Sequence, residues 1–270
     1  MLEPSVGRPT RGWLFRMAES FSAAYRRLAS AQKGHARGAP GYSVYVNRKL
    51  GRVLAAAAFR MGLTPNQATV ISAIHTFGGL AVLLFAPLSW WTGVIVALLL
   101  ALGYAWDSAD GQLARLRGGG SLAGEWLDHF VDALKIASMH LVVLLSLWGH
   151  ADLATPLWLL VPLLFSVISV VTFFGMLLND LLKGKQGVVS THSRGGGTMS
   201  RSMLLLPTDF GLLCLVFVLW GWTTGFLWAY AVLMVLNGGF LALAAIKWFR
   251  EIAALDRDAA SGVGAGAQHG

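Results

Sequence analysis

Six long apolar blocks dominate the chain, near residues 66–86, 90–115, 121–148, 156–182, 202–221 and 225–249. Each approaches or exceeds the roughly 20 residues that a helix needs to cross a bilayer core. The pattern predicts an all-α integral membrane protein with six transmembrane helices. Ahead of the first block, residues 43–61 intersperse Arg and Lys with Val44, Leu50, Val53, Leu54 and Met61 and stop at Gly62. That spacing allows an amphipathic helix ahead of the first span. Thr64-Pro65-Asn66 then reads as a helix start, with Thr64 as N-cap and Pro65 in the first helical position.

Further upstream, Met17, Phe21, Tyr25 and Leu28 recur at helical spacing with Arg16, Arg26 and Arg27 between them. An interfacial helix and a partly ordered basic tail both fit this segment, and Gly34 to Gly41 interrupts it. Three parts follow from these breaks: a basic N-terminal segment over 1–41, a membrane domain over 42–252, and a flexible Gly- and Ala-rich tail over 253–270.

Composition agrees with a bilayer setting. The 270 residues are 56% hydrophobic and 13% charged, against about a quarter charged in soluble domains. The net charge of +8 would suit nucleic acid, but its placement argues for anionic lipid. Lys and Arg gather before residue 66, at 115–117, at 183–201 and at 247–257, and none falls near 87–90, 149–156 or 221–225. With six spans, this positive-inside pattern puts both termini on the cytoplasmic side. Trp90, Trp91, Trp148, Trp158, Trp220, Trp222 and Trp228 sit at the opposite ends, as an aromatic belt would. No short apolar segment with a small-residue cleavage site opens the chain, so no cleaved signal peptide is expected. The single Cys214 excludes an intrachain disulfide.

Against this background the acidic residues between the second and third blocks are costly. Asp107, Asp110, Glu125, Asp128 and Asp132 are five of the thirteen acids in the chain, and carboxylates at membrane depth persist only when paired, metal-bound or in a wet cavity. At about 100° per residue, Asp107, Asp110 and Ala114 share one helix face, and Gly124, Asp128, Asp132 and Lys135 form a stripe on the next. Two helices joined by a short turn can therefore aim four carboxylates at one point. Their mutual repulsion calls for a cation, and an all-oxygen set suits Mg²⁺ or Mn²⁺. Two such ions can clamp a phosphoryl transfer.

The offsets D-x2-D-G-x2-A-R-x8-G-x3-D-x3-D are met by Asp107, Asp110, Gly111, Ala114, Arg115, Gly124, Asp128 and Asp132. This run resembles the signature of the CDP-alcohol phosphotransferases, membrane enzymes that move a phospho-alcohol from a CDP-linked donor to an acceptor hydroxyl and release CMP, in phospholipid biosynthesis. Pro65, Asn66 and Thr69 are similar to a Pro-Asn-x-x-Thr stretch of the same family; for Asn66 and Thr69, helix capping and a nucleotide-side role both stand. The resemblance implies that Asp107, Asp110, Asp128 and Asp132 bind metal, with Asp132 also the base for the acceptor hydroxyl. It implies that Gly111, Ala114, Arg115 and Gly124 surround the CDP moiety. It further implies a homodimer and an amphipathic cytoplasmic-surface helix before the first span, while the positive-inside pattern puts the Asp cluster, and so the active site, on the cytoplasmic side. Arg117 reads as the cytoplasmic end of its span.

Gly124-Glu125-Trp126-Leu127-Asp128-His129 is similar to a stretch of the choline and ethanolamine phosphotransferases, which makes His129, oriented by Glu125 at i, i+4, a second candidate base. Lys135 either balances carboxylate charge or holds an acceptor phosphate. His75 and His140, alone in apolar spans, read as satisfied packing groups. The acceptor stays open: Glu125 and His129 favour a lipid or other neutral hydroxyl. Lys183, Lys185, His192, Arg194 and Arg201 read first as ordinary positive-inside loop charge, and otherwise favour a polyol phosphate, as in bacterial relatives with inositol phosphate as acceptor. The donor is CDP-diacylglycerol or a CDP-linked head group. The competing reading is a cation transporter or channel lined by the intramembrane carboxylates.

Overall fold

The computed structural model describes residues 20–31, 40–188 and 199–266. The polar residues 1–12, the segment from Trp13 to Met17, the loop residues His192 and Arg194, and residues 267–270 lie outside the described residues. Among those described there is no strand. The helices are α1 (Phe21–Ala31), α2 (Arg48–Arg60, entered through a π-helical turn at Ser43–Asn47), α3 (Pro65–Phe85), α4 (Trp90–Leu116), α5 (Leu122–His150) and α6 (Leu160–Lys185, entered through a 3-10 turn at Pro156–Leu159). The short α7 (Met199–Leu204) and α8 (Phe210–Val216) precede α9 (Thr223–Gly266).

Among the described residues, five helices are long and apolar enough to cross a membrane: α3, α4, α5, Pro156–Lys185 and Thr223–Arg257. The sixth expected span, 202–221, is instead a chain of short pieces. Pro207 has no N–H to continue a helix, and a 3-10 turn at Leu206–Thr208 takes its place. Asp209 then restarts the helix as an N-cap, its carboxylate accepting the Gly211 N–H at 3.0 Å. An apolar scan reads through this break, because Pro207 and Asp209 are only two residues in a long apolar run. The last helix continues past 252, where the tail was expected to begin; Ala259 and Ala260 are strong helix formers.

Two clusters of buried side chains organise the bundle. The larger joins Leu83 of α3, Leu100 of α4, Met139 and Val143 of α5, Phe165 of α6, Phe217 and Trp220 beyond α8, and Phe226 and Tyr230 of α9. The smaller joins Ala24 and Leu28 of α1 to Ala55, Ala56 and Phe59 of α2 and to Leu113 and Leu116 of α4. The basic helix α1 is thus docked on protein through its apolar face. Arg27 donates through Nη2 to the Leu116 carbonyl at 2.9 Å, a cation at the C-terminus of α4, where the helix dipole favours it. Its guanidinium also lies 5.6 Å from the centre of the Phe59 ring. Arg27→Ala is expected to loosen this end of α4, with amides of Leu113 to Arg117 exchanging about tenfold faster in hydrogen–deuterium exchange.

Asp209 ties the two halves of the chain. Besides capping α8, it accepts the Ser43 N–H at 2.7 Å and the Tyr104 hydroxyl at 3.4 Å. The start of the α2 segment is thereby fixed against α4 and α8.

Candidate active site

The site is built where α3 begins, α4 ends and α5 begins. Thr64 caps α3 in a capping box with Gln67: its hydroxyl accepts the Gln67 N–H at 3.2 Å, and the Gln67 side chain accepts the Thr64 N–H at 2.8 Å. α4 ends in a tight reversal in which Gly118 and Gly119 have φ of 97° and 131°. Residues with a Cβ rarely adopt such values, so glycine is required there. Ser121 then caps α5 by accepting the Gly124 N–H at 3.1 Å. The reversal sets the C-terminal part of α4 beside the first turns of α5.

These ends enclose a cavity of about 760 Å³. Asp110, Gly111 and Ala114 of α4 line it with Gly124, Glu125 and Asp128 of α5. A Cβ on Gly111 would meet no atom within 4 Å, so that side of α4 is open to an occupant. Gly124 differs, since a Cβ there would come 3.0 Å from Asn66 Oδ1 and crowd a residue that also lines the cavity.

The four aspartates act on one another: Asp107 is a charge neighbour of Asp110, Asp128 and Asp132, and Asp128 of Asp110 and Asp132. Lys135 lies between two of them, its ammonium 2.5 Å from Asp107 Oδ1 and 3.1 Å from Asp132 Oδ1. This contact is the charge-balancing alternative of the two considered for Lys135. One lysine against four carboxylates leaves an excess of negative charge that a divalent ion would offset. Ligand atoms of Asp128, His129 and Asp132 come within 4.8 Å of one another. Carboxylate oxygens with one imidazole are donors that Mg²⁺ or Mn²⁺ accepts, so the residues present fit such ions.

Other residues fall differently from expectation. Glu125 and His129 are not joined by any hydrogen bond or ion pair among the described residues. Glu125 lines the large cavity, whereas His129 lines an apolar groove between α5 and α6 and meets the Phe173 ring edge-on, with centroids 6.5 Å apart. Arg117 lines the cavity and Arg115 does not. Arg117 is the C-cap residue just past the end of α4, and its guanidinium lies 5.7 Å from the centre of the Phe59 ring.

Thr69 is the residue that local reading undervalued. Its hydroxyl donates to Asp110 Oδ2 at 2.7 Å and lies 3.2 Å from the Pro65 carbonyl. Its partner lies 41 positions away, so no local periodicity could reveal the pairing. His140 is a satisfied packing group, with Nδ1 bonded to the Tyr230 hydroxyl and Nε2 2.9 Å from Ser169 Oγ. His75 Nδ1 lies 2.8 Å from the Ile71 carbonyl of its own helix.

Among the described residues, an all-helical bundle with five membrane-length helices and an acidic cluster beside a cavity at one set of helix ends defines a multi-pass membrane protein. The chain belongs to the CDP-alcohol phosphatidyltransferase family, whose model matches residues 62–248. It is similar to phosphatidylinositol phosphate synthase of Mycolicibacterium smegmatis, 30% identical over 149 residues that cover 54% of this chain and 64% of that protein. It is also similar to archaetidylinositol phosphate synthase of Pyrococcus horikoshii, 33% identical over 93 residues that cover 34% of this chain and 44% of that protein. The match thus spans less than two thirds of either relative.

Proposed function

We propose that this chain is an integral membrane phosphotransferase of phospholipid biosynthesis that transfers a substituted phosphate from a CDP-alcohol to an acceptor hydroxyl and releases CMP. The observation that carries this reading is the cavity lined by Asp110, Asp128 and the open side of Gly111. Its size and polar rim suit a nucleotide diphosphate, and its acids sit where the diphosphate charge would need a divalent counter-ion.

In this reading Gly111, Ala114 and Gly124 give the cytidine diphosphate room, and Arg117 supplies a fork for its phosphate oxygens. Arg115, expected from the family motif to do so, is exposed beside Arg48 and takes the outer position. Asp107, Asp110, Asp128 and Asp132 would hold two Mg²⁺ or Mn²⁺ ions, and His129 is placed to join Asp128 and Asp132. Ions bound there supply charge neutralisation for the transferring phosphoryl group and the leaving CMP. Asp132 or His129 takes the acceptor proton while the acceptor oxygen bonds to the phosphorus bearing the alcohol, and the bridging P–O bond breaks to CMP. The basic residues before 66 and at 183–201 support a cytoplasmic opening for the site.

Purified protein in detergent, given a CDP-alcohol, Mg²⁺ or Mn²⁺ and a panel of hydroxyl acceptors, should release CMP. Absence of CMP with every donor and acceptor, together with metal-stimulated ion flux in liposomes, would replace this reading with the transporter one. The Thr69 hydroxyl orients Asp110, so Thr69→Val is expected to raise the Mg²⁺ concentration for half-maximal CMP release by about 10- to 100-fold. A Mg²⁺ titration of the variant beside the wild type measures it.

A further inference from the structure

Arg117 ends α4 on the rim of the donor cavity. Its backbone is set by α4 itself, with the N–H shared between the Leu113 and Ala114 carbonyls, both at 3.1 Å. Its side chain is held from elsewhere in the chain. The guanidinium stands 5.7 Å from the centre of the buried Phe59 ring of α2, within the range of a cation–π contact. The guanidinium of Arg27 on α1 stands 5.6 Å from the same ring and donates to the carbonyl of Leu116, the residue before Arg117, at 2.9 Å. One ring and one carbonyl thus connect α1 to the backbone and to the side chain of a cavity residue.

α1 is seated on protein along its length. Ala24 and Leu28 are buried in the cluster that holds Ala55, Ala56 and Phe59 of α2 and Leu113 and Leu116 of α4. Cation–π contacts run both ways between the helices, Arg27 onto Phe59 and Arg52 of α2 onto the Tyr25 ring of α1 at 5.3 Å. A helix lying on lipid would turn Ala24 and Leu28 to the membrane; here they face α2 and α4. Both α1 and α2 precede residues 62–248, the span that the family model matches, and no α1 residue is among the described residues that line the cavity. Any effect of α1 on a ligand there must pass through another residue. An arginine gives up much rotamer freedom when it is fixed on a phosphate, and a guanidinium that is already placed gives up less.

We propose that α1 is a working wall of the donor site: through Arg27 and Phe59 it holds Arg117 in place for the diphosphate of a CDP-alcohol. Arg27 and Phe59 are then positioning residues, which act on donor affinity through Arg117 and do not touch the donor. The inference rests on the phosphotransferase reading and adds to it a helix outside the matched region. Linkage gives it a reciprocal consequence. If docked α1 strengthens binding of the diphosphate, the bound diphosphate must strengthen docking of α1 by the same factor.

The test titrates the full-length protein in detergent with CDP, the moiety common to every donor, in excess Mg²⁺, by calorimetry. Arg27→Ala and Phe59→Leu should each weaken CDP binding about five- to tenfold, the cost of fixing one long side chain that is no longer preset. Arg27→Lys, which keeps the cation, should recover most of the loss. Arg117→Ala should weaken CDP binding further, and adding Arg27→Ala or Phe59→Leu to it should cost nothing more, because a positioning residue has no effect once the group that it positions is gone. CDP should also slow amide hydrogen exchange across α1 in the wild type and not in Arg117→Ala. Thermal unfolding in detergent identifies the folded variants; if Arg27→Ala does not fold, Phe59→Leu carries the cycle. Wild-type CDP affinity in the folded single variants, additive losses in the double variants, or protection of α1 that persists in Arg117→Ala would overturn the inference and leave the phosphotransferase reading standing. A wild type that binds no CDP with Mg²⁺ or Mn²⁺ would remove the phosphotransferase reading, and this inference with it.

Discussion

Asp110→Asn will lower CMP release from a CDP-alcohol by at least about a hundredfold at saturating Mg²⁺. The side chain is 7% exposed, lines the donor cavity, and is oriented by the Thr69 hydroxyl and by the N–H of Gly111, 2.5 Å from Oδ1. Asparagine keeps the volume but removes the charge proposed to hold a cation and, through it, the diphosphate. Losing a single preorganised electrostatic contact to a transition state costs about 10²–10³ in rate. Because the substitution is nearly isosteric and the site carries surplus negative charge, the fold should tolerate it. The measurement is CMP release over a Mg²⁺ titration, alongside thermal unfolding in detergent. A variant with wild-type turnover at low Mg²⁺ would remove Asp110 from the metal set.

Lys135→Met is expected to act first on stability. The Lys135 side chain is 9% exposed, and its ammonium bridges Asp107 and Asp132. Methionine fills similar space and leaves two neighbouring carboxylates without their partner, beside Asp128. Breaking a buried ion pair by removing one member costs about 3–5 kcal/mol, chiefly through the charge left behind. Without divalent ions the variant should therefore unfold several degrees below the wild type. Mg²⁺ or Mn²⁺ in excess should narrow that gap, since a ligand that binds only the folded state stabilises it by mass action. The sign is diagnostic: metal must stabilise the variant more than the wild type. Equal unfolding temperatures in EDTA would mean that Lys135 does not balance the cluster.

The acidic helix faces were legible from the chain because they depend on local repeat alone. Asp107, Asp110 and Ala114 fall on one face of α4 by the 3.6-residue period, and the cap at Thr64 followed from side-chain chemistry. The apolar blocks marked five membrane-length helices for the same reason. The expected sixth, 202–221, is interrupted at Pro207 and Asp209 and leaves Phe210–Gly221 as a shorter apolar helix, since mean hydropathy over a window averages out two residues that decide backbone hydrogen bonding. Glu125 and His129 show the converse limit: spacing permits an i, i+4 contact, but the surfaces packed around α5 draw the two side chains into different cavities.

The sequence by itself determined the helical membrane class, the family and the faces that carry the carboxylates. Only the tertiary structure decided which groups serve those carboxylates. Thr69 reaches Asp110 across 41 positions, Lys135 reaches Asp107 across 28, Arg27 reaches Leu116 across 89, and Asp209 reaches Ser43 across 166. Such partners are set by how whole helices pack, a sum over many contacts, and no pattern with the period of one helix records that sum.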